Sequence, residues 1–365
     1  MASYADKIKD LEDELKKTKY NKATQHHIGL VKAKIALLKE KQEGRVAKKT
    51  GRSDHGYSVR KSGDATVLLL GFPSAGKSTL LNALTGADSE TGAYAFTTLS
   101  VVPGMMNYKQ AKIQILDVPG IVSGAASGKG RGKEVLAVIR TADLVLILVD
   151  VMHPNHYPSI LKEVWDSHIR INRKKPEVFI KKKARGGLRI GKTVRLGFDD
   201  ATMKRILQEF KISNGDVLIR SVIDIDGFID AIEGNKKYLP AIVCVNKMDM
   251  VSASKLSKIK KELNADLAVS AEKKLNIKPL QELIFQKLDF MRLYLKEPRK
   301  EADMEEPLII QRGSTIGDVC NKLHKDFISK FKFARVWGKS AKHKGQKLHT
   351  KHVLQDKDVL EIHLD

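Results

Sequence analysis

The run GFPSAGKST, residues 71–79, sets two glycines, a lysine and a hydroxyl at the Gly-x-x-x-x-Gly-Lys-Ser spacing. That spacing suits a polyphosphate. Gly71 and Gly76 let the backbone wrap closely enough for its N–H groups to face phosphate oxygens, and the start of a helix adds partial positive charge. Lys77 supplies a point charge to the β and γ phosphates, and the Ser78 hydroxyl is a ligand for Mg²⁺. The context fits: TVLLLG (66–71) reads as a strand and LLNAL (80–84) as a helix.

A second run, NKMD (246–249), follows the apolar stretch AIVCV (241–245). It lies where a base-reading loop belongs, at the carboxyl end of a strand in a parallel sheet. Asp249 can accept hydrogen bonds from N1–H and the 2-amino group of guanine. Adenine lacks that pair of donors and would leave a buried carboxylate unpaired. Asn246 can brace the loop, and the Lys247 stem can lie over the base. LDVPG (116–120) ends another strand, so Asp117 can hold Mg²⁺ through water and the Gly120 N–H can reach the γ-phosphate. SAE (270–272) places the Ser270 backbone near the guanine O6, and one threonine of YAFTTL (94–99) should close over Mg²⁺ and the γ-phosphate. One part departs from the common pattern. Many GTP-hydrolysing proteins follow the Asp-x-x-Gly glycine with a glutamine that orients water; here the residue is Ile121.

The elements that must position these loops alternate. Apolar runs at 66–71, 112–117, 144–150, 241–245 and 266–270 are separated by helical patterns, which predicts a mostly parallel sheet with helices on both faces. The stretch from 151 to 240 is too long for one crossover and predicts an inserted α+β domain. Its start, 170–195, holds eleven Lys/Arg against one Glu and reads as a basic, strand-like ribbon, followed by helices at DATMKRILQEF and IDGFIDAIEG. Ahead of the core, Ile8, Leu11 and Leu15, then Ile28, Val31, Ile35 and Leu38, recur at helical spacing and predict a helical hairpin, with Asn21 or Thr24 capping its second helix. A basic linker follows. Beyond a charged linker at 296–307, the order strand LII, helix TIGDVCNKLHKDFISKF, strand FARVWG, basic loop, strand VLEIHL suits a β-grasp module. The expected division is 1–60 (hairpin and linker), 61–165 with 238–295 (GTPase core), 166–237 (insert) and 300–365 (β-grasp).

The chain has 365 residues, 42% hydrophobic and 30% charged, which suits a soluble protein of two or three domains. No apolar run approaches the roughly 20 residues of a membrane span, and the N-terminus lacks a signal-peptide core, so a cytoplasmic protein without membrane partners is expected. Cys244 and Cys320 sit in apolar patterns and read as buried thiols; no Cys/His spacing suggests zinc, and the adjacent His26 and His27 point apart on a helix. The formal charge of +23 favours a polyanionic partner through counterion release. Basic stretches at 170–195, 322–347 and the N-terminal region would bind RNA phosphates with little sequence preference. Within 322–347, Phe333 and Trp337 lie in a strand and read as core residues, with stacking on RNA bases as the alternative.

The ordered set GFPSAGKST, YAFTTL, DVPG, NKMD and SAE resembles the Obg-like branch of P-loop GTPases. NKATQHHIGLVKAKIALL, GKGRGKEV, KKKARGGLRI and FARVWGKSAKHKGQ make the whole chain similar to the DRG family, the developmentally regulated GTP-binding proteins of archaea and eukaryotes. The resemblance implies an N-terminal helix-turn-helix, a GTPase core, an insert like the second domain of ribosomal protein S5, and a C-terminal TGS domain. It implies GTP/GDP and Mg²⁺ as ligands, Thr98 as the YAFTTL residue on Mg²⁺, association with ribosomes and translation, and a dedicated partner protein, with a monomer or heterodimer as the state. GTP contacts are then expected from Gly71, Pro73, Ser74, Ala75, Gly76, Lys77, Ser78, Thr79, Phe96, Thr97, Thr98, Asp117, Gly120, Asn246, Lys247, Asp249, Ser270 and Ala271. The catalytic set is Lys77, Thr98 and Gly120, and the metal set is Ser78, Thr98 and, through water, Asp117. Potassium is a candidate second cation, although Ser74 stands where related GTPases use an asparagine to hold it. With Ile121 in place, the water must be held by the backbone near Thr98, by a cation, or by a partner. Arg131 is either an internal arginine finger or a solvated charge. The expected activity is slow GTP hydrolysis accelerated by a partner; the alternative is a GTP-binding RNA module with negligible hydrolysis alone. A metabolic kinase is excluded by NKMD and by the lack of an acceptor motif.

Overall fold

A computed structural model describes residues 4–19, 21, 24–49, 63–85, 102–117 and 141–364. In chain order, the first half runs α1 (Tyr4–Lys17), α2 (Gln25–Lys49), β1 (Ala65–Leu70), α3 (Lys77–Thr85), β2 (Val102–Tyr108), β3 (Ala111–Asp117), β4 (Leu144–Asp150) and α4 (Tyr157–Asp166). The middle adds β5 (Ile169–Ile171), β6 (Val178–Lys182), β7 (Leu188–Lys192), α5 (Asp200–Glu209), β8 (Gly215–Ile219), α6 (Ile225–Glu233) and β9 (Lys237–Leu239). The rest comprises β10 (Ala241–Asn246), α7 (Ala253–Glu262), β11 (Leu267–Ala268), α8 (Ile277–Lys287), β12 (Phe290–Leu295), β13 (Leu308–Gln311), α9 (Ile316–Leu323), α10 (Lys325–Ser329), β14 (Phe331–Trp337), β15 (Gln346–Leu348) and β16 (Val359–Leu364).

The described residues divide into two compact units, one holding those before 50 and 165–238, the other those of 63–117, 141–164 and 239–364. In the first, α1 and α2 pair through Ile8, Val31 and Ile35. The turn between them uses both expected caps: Asn21 Oδ1 accepts from the Thr24 amide at 2.8 Å, and Thr24 Oγ1 accepts from the Asn21 amide at 3.0 Å. Gly29 lets α2 cross α5 closely, because a Cβ there would lie 3.1 Å from the Thr202 methyl. His26 meets Thr202 at 3.2 Å while His27 meets Glu14 at 2.9 Å, so the two rings diverge.

The insert is α+β. The ribbon strands β6 and β7 do not pair with each other. β8 lies between them, antiparallel to β6 and parallel to β7. Helices α5 and α6 cover one face with Met203, Ile206, Leu207, Phe228 and Ile229. Asp199 and Asp224 cap them, each accepting an amide hydrogen from the first turn.

The second unit carries a six-stranded sheet of order β11-β10-β4-β1-β3-β2. All its pairs are parallel except β2–β3. Strands β1 and β4 are buried along their whole length, as their uninterrupted apolar runs require of a sheet covered on both faces. The C-terminal sheet has the order β13-β12-β16-β14-β15. Its first strand, β12, begins at Phe290, within the stretch the sequence pattern assigns to the core, and pairs with β13 and β16. The single expected helix at 315–331 is two. The chain extends at His324 (φ −160, ψ 144), whose ring caps α10 by accepting from Asp326 N at 3.2 Å. Phe333 and Trp337 are not core residues. They alternate with buried Ala334 and Val336 and lie on the opposite face of the sheet.

Candidate functional site

The phosphate loop leaves β1 and enters α3 at Lys77. Ser74 (φ 65) and Gly76 (φ 89) turn the chain through the left-handed region. Close approach explains both glycines. A Cβ on Gly71 would sit 2.7 Å from the Leu148 carbonyl of β4, and one on Gly76 would sit 2.4 Å from Asn246 Nδ2. Lys77 Nζ donates to the Phe72 carbonyl at 3.1 Å, so the ammonium arches back over the loop it would serve. Pro73, Ser74, Ser78 and Thr79 are exposed, and Ala75 is buried.

Asp117 ends β3 beside this loop. Ser78 Oγ lies 3.5 Å from Asp117 Oδ2. The other oxygen, Oδ1, is buried and has no hydrogen-bond partner among the described residues. Burial pushes the Asp117 carboxyl above the ordinary carboxylate range, against the pull of the Lys77 charge and the Ser78 hydroxyl. A buried carboxylate oxygen that accepts no hydrogen bond from the described residues, next to a hydroxyl, is a hard-oxygen donor set, and it fits Mg²⁺ held partly through water. Ser78 and Asp117 are thus placed together as the sequence predicts. Phe96, Thr97, Thr98, Gly120, Ile121 and Arg131 lie outside the described residues.

Three loops meet at Asn246. Its Nδ2 donates to the Ala75 carbonyl at 2.8 Å, and its Oδ1 accepts from the Ala271 amide at 3.1 Å. One 2%-exposed side chain therefore ties the phosphate loop to the Ser-Ala-Glu turn. Ser270 and Leu275 close that turn with two backbone bonds of 3.2 and 3.0 Å. Lys247 has a left-handed backbone (φ 61), and its ammonium donates to the Ser74 carbonyl at 2.9 Å and to Asp150 Oδ2 at 2.6 Å. The stem is therefore anchored at its far end. Asp249 lies 3.0 Å from Lys273 Nζ, and the Ser270 hydroxyl and Lys273 hold its carboxyl below the usual range, so it stands ionised as an acceptor.

Motif spacing does not single out Asp150. A signal is nonetheless there: it is the acid closing LVLILVD, at the same edge of the sheet as the phosphate loop. Beyond it, His153 and His156 stack (centroids 5.2 Å apart), and His156 stacks on Phe72 at 4.2 Å. Together with Ser74, Asp150 and Lys247 these rings line a cavity of about 250 Å³.

The basic stretches are more divided than their composition suggests. Arg170 is buried, paired bidentately with Asp230 at 2.6 and 2.7 Å and stacked 3.5 Å from the Trp165 ring centre, so it braces the insert and offers no surface charge. Lys181 and Lys183 fall on one face of the β6 line and Lys182 on the other; Lys183 pairs with Asp216 at 2.5 Å. The loop beyond carries Gly186 and Gly187 at positive φ, and a Cβ at either would meet no atom within 4 Å. Cys244 and Cys320 are free and buried, and burial lifts the Cys244 thiol to about 12. Among the described residues no group of three metal-ligating side chains forms, and no helix is long and apolar enough to cross a membrane.

A strand-to-helix phosphate loop, with an Asn-Lys-x-Asp loop beside it at the carboxyl edge of a parallel sheet, defines a P-loop GTP-binding protein. Residues 66–183 match the family described as 50S ribosome-binding GTPase, residues 185–290 the C-terminal region of that domain, and residues 292–364 the TGS domain. An uncharacterized GTP-binding protein of Methanocaldococcus jannaschii is 51% identical over 98% of this chain and 92% of its own. Developmentally-regulated G-protein 3 of Arabidopsis thaliana is 42% identical over 99% of both chains, and developmentally-regulated GTP-binding protein 1 of Xenopus laevis is 42% identical over 98% of both. The chain belongs to the developmentally regulated GTP-binding proteins, a family of the Obg-like branch.

Proposed function

We propose that this protein hydrolyses GTP to GDP and phosphate with Mg²⁺ and serves in the cytoplasm as a ribosome-associated switch. The observation that carries the hydrolytic reading is Asp117: a buried carboxylate beside Ser78, at the mouth of the phosphate loop, with one oxygen that has no partner among the described residues. Mg²⁺, when bound, neutralises charge on the β and γ oxygens. Ser78 and Asp117 would hold it, and the family's pattern adds Thr98 as a further ligand. Lys77 leaves the Phe72 carbonyl for the phosphates, and the Gly120 amide meets the γ-phosphate. Asp249 accepts from the guanine edge, while Asn246 keeps base loop and phosphate loop in register.

The Ile121 side chain offers no hydrogen bond to water, so the attacking water depends on the backbone near Thr98, on a cation at Ser74 such as K⁺, or on a partner. Slow turnover of the isolated protein follows. The ribosome reading is supported by the family description of residues 66–183 and by the +23 charge. In it, rRNA meets the exposed parts of 170–195, 322–347 and the N-terminal region, and a dedicated regulatory protein stabilises the chain, which is a monomer alone or a heterodimer with that protein.

The deciding experiment measures GTP turnover in potassium buffer with and without matched ribosomes, repeated in sodium buffer. A manyfold rise with ribosomes is the expected result. An unchanged rate with ribosomes and in both salts leaves two outcomes, activation by a separate regulatory protein or the second reading that Ile121 itself invites, a GTP-binding RNA module whose nucleotide is a structural ligand.

A further inference from the structure

The C-terminal sheet keeps one face for its core and leaves the other to an unusual row of side chains. Met291, Leu293, Ala334, Val336 and Leu360 point inward. The alternation of a strand then puts Phe333, Arg335 and Trp337 of β14 on the outer face. Register places His363 beside Phe333, Glu361 beside Arg335 and Val359 beside Trp337. On the far side of β14, Lys347 stands opposite Arg335.

The contacts on this face are ring-on-ring and cation-on-ring. His363 stacks on Phe333 with centroids 4.3 Å apart and planes 20° apart. Lys347 Nζ lies 4.7 Å from the Phe333 centroid, and Lys296 Nζ lies 4.5 Å from that of Trp337. The one acid in this row, Glu361, is buried and already satisfied by Lys296 at 3.1 Å and His363 at 2.6 Å. Arg335 and Lys347 are exposed and form no salt bridge among the described residues, and the loop from β14 to β15 adds Lys339, Lys342 and Lys344. Phe333 and Trp337 are half-buried, so each ring keeps a solvent-facing part.

We infer that this outer face is a stacking platform for single-stranded RNA, with Phe333 and Trp337 receiving two separate bases and Arg335 and Lys347 holding the backbone between them. The inference rests on the RNA-contacting reading above and says which surface and which form of RNA. Four residues along a strand set the rings roughly 13 Å apart, too far for one base and suited to two bases of an extended strand. Aromatic stacking beside a positive groove is the general device for single strands, since every base has a π-face. A duplex keeps its bases stacked on one another and offers these rings only phosphate. Lys347 is a flexible cap on Phe333 that a base displaces, after which it remains within reach of the phosphate; Lys296, tied to buried Glu361, stays in place and leaves a base the solvent-facing part of Trp337.

The chain has two tryptophans, Trp165 and Trp337. In the full-length Trp165→Phe variant, Trp337 fluorescence reports the platform directly. The probes are a 12-nucleotide oligoadenylate and an RNA duplex of equal length, with filter binding run in parallel. Saturable quenching by the single strand and not by the duplex is expected, and Phe333→Leu should weaken single-strand binding about tenfold while leaving GDP binding unchanged. On the native chain, a 4-thiouridine oligonucleotide should crosslink within residues 331–337. RNA retained on filters without Trp337 quenching, or crosslinks confined to 170–195, would overturn the platform and leave the RNA reading standing. Failure to retain RNA at all would remove both.

Discussion

Replacing Gly76 with alanine tests the geometry of the phosphate loop with two separable costs. The first is backbone: at φ 89 an L side chain is strained by roughly 1–2 kcal/mol. The second is steric, because the new methyl would stand 2.4 Å from Asn246 Nδ2. That amide must move, and the 2.8 Å bond it makes to the buried Ala75 carbonyl is lost. An orphaned buried acceptor costs about 1–3 kcal/mol. Gly76→Ala should therefore lose about 2–5 kcal/mol, read as chemical-denaturation stability with GDP bound and as GDP affinity. In an Asn246→Ala background the clash and the bond are both already gone, so the same glycine change should cost only its backbone strain. The double-mutant cycle should show a coupling of about 1–3 kcal/mol. Equal costs of Gly76→Ala in the two backgrounds would refute the idea that Asn246 is what makes a glycine necessary there.

Asp249→Asn should weaken GTP binding about 10–150-fold, the worth of a charged hydrogen bond. It should also raise the relative affinity for xanthosine triphosphate, whose 2-oxo group suits an amide donor; competition binding measures both. Neutralising Lys181, Lys182 and Lys183 together should flatten the log–log salt dependence of RNA binding, each phosphate contact carrying a slope of about 0.7–0.9, and an unaltered slope would count against the ribbon. Glu282 has its carboxyl held down to about 2 by hydrogen bonds from Lys109, Tyr108 and Gln286. A depressed carboxylate contributes fully above its ordinary value of 4.5 and loses that contribution as pH falls toward 2. Glu282→Gln should thus flatten the stability–pH curve across that window in denaturation experiments, and curves of equal slope would contradict the assignment.

The parts of the site that are legible in sequence are those whose spacing is itself the geometry. A loop that must wrap a phosphate between a strand and a helix needs its glycines and lysine at fixed offsets, so GFPSAGKST announces its own shape. Asp150 is harder because nothing local marks it. Its role comes from lying beside Asn246 across the parallel pair β4–β10, a register no short motif encodes. β8 is invisible for a related reason. GDVLI is a short run between two helices, and it becomes a strand because the hydrogen-bonding edges of β6 and β7 need a partner between them. Phe333 and Trp337 carry the clearest lesson. Their aromatic character suggests burial, yet the phase of the alternation, set by the small Ala334 and the branched Val336 under α9, turns both rings outward. In the ribbon, composition counts Arg170 as surface charge, whereas Asp230 and Trp165 have already claimed it.

The bond from the Ala271 amide to Asn246 also has a kinetic face. The amide belongs to a turn at the edge of the sheet, where backbone hydrogens ordinarily exchange with solvent through small local openings. Here exchange requires Asn246 to release it, and Asn246 is held at its other end by Ala75 in the phosphate loop. The exchange rate of a single amide, remote in sequence from the P-loop, thus becomes a clock for how often the nucleotide cradle comes apart.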